Sequence, residues 1–514
     1  MATPGSKLDN TKIGSDMGEG HTVPIPAEEI SEVGADGLDP ILRAKMHLVN
    51  EAINEIGYTW YHWKLFMLNG FGYSVDSQLT LLASLTQSQV AKEFHPSYSN
   101  GLSSALFVGL FFGALFWGST ADIIGRRFAF QTSLLISAVF AIVTGGAPNW
   151  IVCGLFVSIS AFGSGGNLVL DTTVFLEFLP RKQQYLVTLL AFWWGIGQTV
   201  AALVVWGFLG NYSCQSSDDC HRSNNMGWRY AWITNGVMVL LMSIARVTII
   251  QLAESPKWLL TQGRDAELVQ ILHNLATKYG RSCSLKVEQL EAIGAVHVAK
   301  TKRFVDVSQF RRHVSGLFGT RKMALSTVLI WASWLVVGLA YALFNVFLPY
   351  YYAQVGASFG NGSTYETYRD EAITYTVSIV GPLIAAALCR IPRIGRRGTM
   401  AIGGITSMIC LFALTQIKTE VQNVAVTGLS YLLVNVYYGV LFAYTPEVIP
   451  SAYRGTGAGI AMSLNRLMGL CAGFISYYAG KTTTAPIWIC AALFGALGIL
   501  SLFFPYEPVT SGSA

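Results

Sequence analysis

The chain is expected to fold as an all-α membrane protein of twelve transmembrane helices in two six-helix halves. Three observations lead there. The first is composition: 52% of its 514 residues are hydrophobic and only 12% charged, with a mean hydropathy of +0.45. A soluble chain of this length needs more charge to keep its surface wet. The second is a succession of apolar stretches of about 20 residues, each long enough to cross a bilayer as a helix. The third is a duplication. Gly125-Arg126-Arg127 returns as Gly395-Arg396-Arg397, and the Glu177/Pro180 pair returns as Glu447/Pro450, both at an offset of 270 residues (395 − 125 and 447 − 177). A repeated unit in a hydrophobic chain points to a transporter with its site between the halves.

Residues 1–45, rich in Gly, Asp, Glu, Pro and Ser, are expected to form a disordered cytosolic tail. They lack the basic and apolar regions of a signal peptide, and Ala2 excludes N-myristoylation. The first half, 46–252, holds spans near Leu65–Val90, Gly101–Thr120, Phe128–Gly146, Trp150–Leu179, Tyr185–Leu209 and Trp228–Leu252. A polar, basic linker at 253–322 follows, with helical periodicity over Asp265–Lys278 and Lys286–Val298. The second half, 323–505, holds spans near Met323–Tyr352, Ala372–Cys389, Thr399–Ile417, Val424–Tyr444, Gly457–Tyr478 and Pro486–Phe504, before a short cytosolic tail at 506–514.

Arg126/Arg127, Arg181/Lys182, Arg393/Arg396/Arg397 and Arg454 all fall on the linker's side, which the positive-inside rule makes cytoplasmic, with both termini. The sequons at Asn211 and Asn361 land on the opposite side, where glycosylation occurs. Cys214 and Cys220 share the loop of Asn211, and an oxidising compartment permits a disulfide between them; two free thiols are the alternative. The other cysteines read as small core residues, no Cys/His spacing suits a metal, and Gly163, Gly165 and Gly166 suit close helix packing rather than phosphate.

The segment from Gly118 through Asp122 and Gly125 to Arg126 and Arg127 resembles the G-x-x-x-D-R-x-G-R-R loop of the major facilitator superfamily. Gly permits a tight turn between closely packed helices, and the Asp can cap a neighbouring helix or pair with Arg. Such a latch holds one conformation and breaks in the other. The second copy, ending at Arg397, has lost that Gly and Asp, so the first is the stronger latch. Ala253-Glu254-Ser255-Pro256-Lys257-Trp258-Leu259 resembles the P-E-S-P-R-W-L of sugar-porter-like members. The segment Thr445 to Gly457, with Glu447, Pro450 and Arg454, resembles the matching later signature. A Glu beside Arg at helix ends builds charge networks, which makes Glu177 and Glu447 gate or latch residues. Ile56-Gly57-Tyr58-Thr59-Trp60-Tyr61-His62-Trp63-Lys64, leading into a Gly-rich first helix with Asp76, resembles the branch of synaptic-vesicle-protein-like, niacin-type and aromatic-acid-type transporters. Members of that branch carry organic anions, organic cations, sugars or polyols, so the resemblance implies transport without naming the cargo.

Ionisable groups within spans are costly and mark function by default. Asp76 lies roughly 16 Å into the first span at about 1.5 Å per residue. It reads as a proton-coupling carboxylate, or as a structural hydrogen-bonding group. Asp171 reads as a second proton site or as the partner of an Arg. Arg466, beside Asn465, is similarly deep and suits either a substrate carboxylate or an acidic neighbour. Arg246, nearer the linker end of its span, is expected to snorkel. Trp194 with Gln198, Tyr341 with Asn345, and Asn435 with Tyr438 line helix faces as a cavity wall would, although packing alone accounts for many aromatics. Asp76, Asp171 and Arg466 have no charged counterpart in the other copy, where Val346, Leu441 and Ile196 stand.

The expected function is proton-coupled alternating-access transport of a small organic solute, best an organic or aromatic carboxylate, across the plasma membrane. No cofactor, covalent catalysis or nucleic-acid partner is expected, and the working unit is a monomer in the bilayer. A sugar or polyol proton symporter and a metabolite exporter are the other transport readings. A non-transporting sensor is the remaining one, disfavoured by the short tail after Phe504.

Overall fold

In the computed structural model, residues 40–214, 218–249, 253–295, 307–355, 364–417, 419–450, 453–478 and 485–508 are described, and every regular element among them is helical. Helix α1 (Pro40–Ile56) precedes the first span. The first half comprises α2 (Trp60–Phe94), α3 (Gly101–Ile124), α4 (Arg126–Thr144), α5 (Trp150–Ser164), α6 (Asn167–Phe178), α7 (Tyr185–Leu189), α8 (Ala191–Leu209) and α9 (Gly227–Thr248). The linker carries α10 (Pro256–Thr261), α11 (Asp265–Lys278), α12 (Val287–Ile293) and α13 (Val307–Gly316). The second half comprises α14 (Arg321–Val355), α15 (Thr364–Ser378), α16 (Val380–Cys389), α17 (Gly395–Leu414), α18 (Glu420–Val448), α19 (Arg454–Tyr478) and α20 (Ala485–Ser501).

Ten spans among the described residues are long and apolar enough to cross a membrane, with α5–α6, α7–α8 and α15–α16 each forming one of them. Two further helices bring the total to twelve. α20 is apolar but only 17 residues long. α2 runs for 35 residues, yet Asn69, Ser74, Asp76, Ser77 and Gln78 are all buried on it, which lowers its hydropathy. Polar groups tolerated there face protein rather than lipid.

Glycines set the breaks and the seams. A Cβ on Gly165 would stand 2.6 Å from the Leu110 carbonyl, and one on Gly166 would stand 2.2 Å from Trp117, so the α5–α6 junction can lie against α3 only without side chains. α6 is then buried along its whole length. The halves meet along α3 against α19 and α8 against α15. A Cβ on Gly118 would stand 2.8 Å from Gly459 Cα, and one on Gly195 2.9 Å from Ile379 Cα, so each seam is a close backbone contact.

On the linker side α1 packs with α10, α11 and α12 around Met46, Val49, Ile53, Leu259, Leu268, Leu272 and Leu290. Lys45 donates to Asp265 at 2.5 Å across this small core. Residues 40–45, assigned from sequence to the disordered tail, are therefore helical. Leu42 is buried there in step with Met46 one turn on, a pattern masked by the flanking polar residues. The stretch expected as helix over Lys286–Val298 stops at Ile293, where Gly294 adopts φ +121°. Residues 1–39 lie outside the described residues.

Candidate functional site

Asp76 of α2 and Arg466 of α19 form an ion pair across the two halves, both buried. The second oxygen of Asp76 and Nε of Arg466 have no hydrogen-bond partner among the described residues. A buried pair left partly unsatisfied is costly and is poised to take another ligand.

Beside it, Gln198 Nε2 donates to the Tyr341 hydroxyl at 3.0 Å, again across the halves. The Tyr341 ring lies 5.4 Å from Tyr438 and 6.2 Å from Tyr431. Tyr431 donates to Asn345. Trp194 of α8 and Trp334 of α14 both pack on Phe442 of α18, with ring centroids at 5.9 and 4.8 Å. Asn435 is buried with its amide nitrogen unpartnered among the described residues. Asn465 donates to the Trp334 carbonyl at 3.3 Å, which makes it a strut between α14 and α19 more than a free ligand. The structure thus gathers Asp76, Trp194, Gln198, Tyr341, Asn345, Asn435, Tyr438 and Arg466 into one aromatic, partly unsatisfied centre. Trp334, Tyr431 and Phe442 belong to it as well. Their spacings signal this: Trp334 is seven residues before Tyr341, and Phe442 is four after Tyr438, so each shares a face with a residue already singled out.

Asp171 sits elsewhere, inside the first half. Its carboxylate takes Arg246 Nη2 at 2.8 and 3.0 Å. Arg246 also donates from Nε to Leu68 O at 3.1 Å and from Nη1 to Phe130 O at 3.0 Å, while its guanidinium lies 3.9 Å over the Phe130 ring. Arg246 does not snorkel: it is fully buried, because an acid on α6 and two carbonyls neutralise and solvate it in place. This satisfied pair is a strut, whereas Asp76–Arg466 has unmade bonds.

The linker side carries two matching charge networks. In the first, Glu177 receives Arg126, Ser255 and, at 3.4 Å, Arg454 from the other half. Glu254 accepts from the backbone N–H of Arg126 at 3.0 Å and of Arg127 at 3.3 Å. In the second, Glu447 receives Arg396 at 2.9 and 2.6 Å, and Glu507 accepts from the N–H of Arg396 at 2.5 Å and of Arg397 at 3.2 Å. The second copy therefore keeps its latch after losing its Asp, because Glu507 stands where Glu254 stands in the first. Arg397, singled out from sequence, is half-buried and bonds Leu502 O; the buried partner of Glu447 is its neighbour Arg396. Across the seam Arg390 lies 4.8 Å over the Tyr185 ring, adding a cation–π contact to the Glu177–Arg454 link. The Asp122 side chain lies outside the described residues.

On the opposite side Cys214 and Cys220 form a disulfide with a Cα–Cα distance of 5.5 Å. Asn211 is exposed at the end of α8. Asn361 lies outside the described residues.

Comparison with known proteins accords with this arrangement. Residues 52–512 match the family model described as "Sugar (and other) transporter". The chain is 40% identical over 489 residues to "MFS siderochrome iron transporter 1" of Ceriporiopsis subvermispora, covering 93% of each chain. It is 28% identical to "Niacin transporter NiaP" of Acinetobacter baylyi, covering 81% of this chain and 86% of that one. Its fold is similar to the proton:xylose symporter XylE bound to 6-bromo-6-deoxy-D-glucose, with a TM-score of 0.64 at 16% identity over 87% of this chain and 96% of that one. Two helical halves with paired charge networks and a buried centre between them suit a solute carrier, and the chain belongs to the sugar (and other) transporter family of the major facilitator superfamily, a family of transporters and not of enzymes.

Proposed function

We propose that this transporter carries a small organic carboxylate in symport with a proton, by alternating access across the plasma membrane, with both termini cytoplasmic. The observation that carries the reading is the Asp76–Arg466 pair, which joins the halves and leaves donor and acceptor atoms unmade. When a proton neutralises Asp76, Arg466 is released to hold an incoming carboxylate bidentately. Proton and anion then occupy the pair together, and their departure restores it. Empty or doubly loaded, the pair has no net charge, so both forms can cross between conformations; half-loaded, it carries a buried charge that opposes movement. Tyr341, Tyr438, Trp194 and Phe442 supply an aromatic wall for a planar cargo, and a niacin transporter among the relatives is named for an aromatic carboxylate. The roles of Asp171 as a strut, of Gly118, Glu177 and Arg454 as a linker-side gate, and of Asn211 as a glycosylation site belong to the same reading.

The test is uptake of pyridine-3-carboxylate into proteoliposomes with an imposed inward proton gradient. Asp76→Asn is expected to abolish accumulation above equilibrium while sparing exchange of labelled for unlabelled anion. Accumulation that is unchanged in Asp76→Asn overturns the coupling role.

A further inference from the structure

Glu371, half-buried, is the odd carboxylate among those of the membrane spans. Asp76, Glu93, Asp171, Glu177 and Glu447 each hold an Arg: Arg466, Arg229, Arg246, Arg126 and Arg396. Glu371 lies within α15, itself part of the span Tyr365–Cys389, and no cation pairs with it among the described residues. The neighbouring Arg369 turns instead to Asp370 at 2.9 Å and Glu420 at 3.2 Å. A carboxylate left without a counter-ion in a membrane span is expensive unless it takes up a proton or a ligand supplies the charge.

Its surroundings say which ligand. Tyr368, Glu371 and Tyr375 are spaced i−3, i and i+4 on α15 and share one face. That face looks inward: the Tyr368 hydroxyl donates to Leu85 O of α2 at 3.2 Å, and the Tyr375 ring packs 5.1 Å from Tyr431 of α18. Ile373 and Val377 are exposed on another face. The carboxylate lies close enough to Tyr341, Tyr368 and Tyr431 to act on them electrostatically. An anion with tyrosines close by suits a cationic nitrogen, through charge pairing and cation–π attraction. The tyrosines also lead to the other charge. Tyr431 and Tyr341 pack together, Tyr341 packs on Tyr438, and Tyr438 lies within electrostatic reach of Arg466. Tyr431 and Tyr438 are two turns apart on α18, roughly 10 Å at 1.5 Å per residue.

We infer that Glu371, with Tyr341, Tyr375 and Tyr431, binds a positively charged nitrogen, and that the cargo is a zwitterion whose carboxylate meets Arg466. The inference rests on the proposed carboxylate reading and narrows it to single-ring or similarly short molecules carrying both charges.

The test is binding to the purified full chain by thermal shift and titration, with three probes of one shape. These are pyridine-3-carboxylate (anion), its N-methylated form (zwitterion) and N-methylpyridinium-3-carboxamide (cation). Wild type is expected to prefer the zwitterion to the anion by about tenfold or more. Glu371→Gln is expected to erase that preference while leaving anion affinity within about twofold, and Tyr375→Phe, which keeps the ring, to retain it. An unchanged preference in Glu371→Gln, equal loss for anion and zwitterion, or no binding of any probe by wild type overturns the inference. If Glu371→Gln spares both carboxylates, the Arg466 reading survives alone. If only the cation binds, and does so through Glu371, the carboxylate reading falls while the cation site stands.

Discussion

At the scale of single residues, two buried Asp–Arg pairs have opposite designs. Arg246 spends every guanidinium nitrogen on Asp171, Leu68 O and Phe130 O, and a Cβ on Gly72 would stand 1.6 Å from Asp171 Oδ2. Gly72 is thus the space into which the pair fits. Arg246→Leu strands Asp171 and is expected to cost about 3–5 kcal/mol of stability, with much of it recovered in Asp171→Asn/Arg246→Leu. Gly72→Ala is expected to fall in the same range, since it must displace the pair. Thermal unfolding midpoints of the detergent-purified variants check all three, and wild-type midpoints would contradict the strut. From sequence, each charge was visible as an ionisable group in a span. Its partner was not, because 171 meets 246 and 76 meets 466 only through tertiary packing. Arg246 was misjudged for that reason: distance along its own helix suggested snorkelling, while the acid that holds it sits two spans earlier in the chain.

At the scale of elements, the helices and the latch motifs were legible, because apolar runs and repeated Gly-Arg-Arg turns are local signals; the breaks inside three of the spans were not, because the apolar run continues through each of them. The register of the second latch was not. Arg396 and Arg397 are adjacent, and only the turn at Gly395, with φ +58°, decides which one enters the core. Glu507 was missed because it repeats the role of Glu254 at a different offset. On the linker side, Ser284 donates its hydroxyl and N–H to Glu55 and holds that carboxyl below the ordinary glutamate range. This contact between α1 and the linker favours the ionised form. Its contribution is present above the unfolded glutamate value and is lost as pH falls through the lowered folded one. Limited proteolysis of the linker is expected to accelerate in acid, and to lose that acid dependence in Glu55→Gln.

At the scale of the whole molecule, the halves touch through small-residue seams and, among the described residues, through two cross-half ion pairs, Glu177–Arg454 and Asp76–Arg466. On the proposed reading the first closes the linker side, so Arg454→Gln is expected to open it. Spin labels at Arg181 and Arg393, both exposed, in a background lacking Cys283 and Cys471, should show a longer distance population than the parent. An unchanged distribution would remove Arg454 from the gate. The second pair is the proposed coupling device, and it makes the most direct claim: anion binding and protonation of Asp76 are one event. Titrating pyridine-3-carboxylate into the purified protein at neutral pH, in buffers of differing ionisation enthalpy, measures protons exchanged per anion bound. The account predicts about one proton taken up by wild type and about none by Asp76→Asn, whose freed Arg466 binds the anion more tightly and without pH dependence. Binding without proton uptake in wild type, or equal uptake in Asp76→Asn, would contradict it.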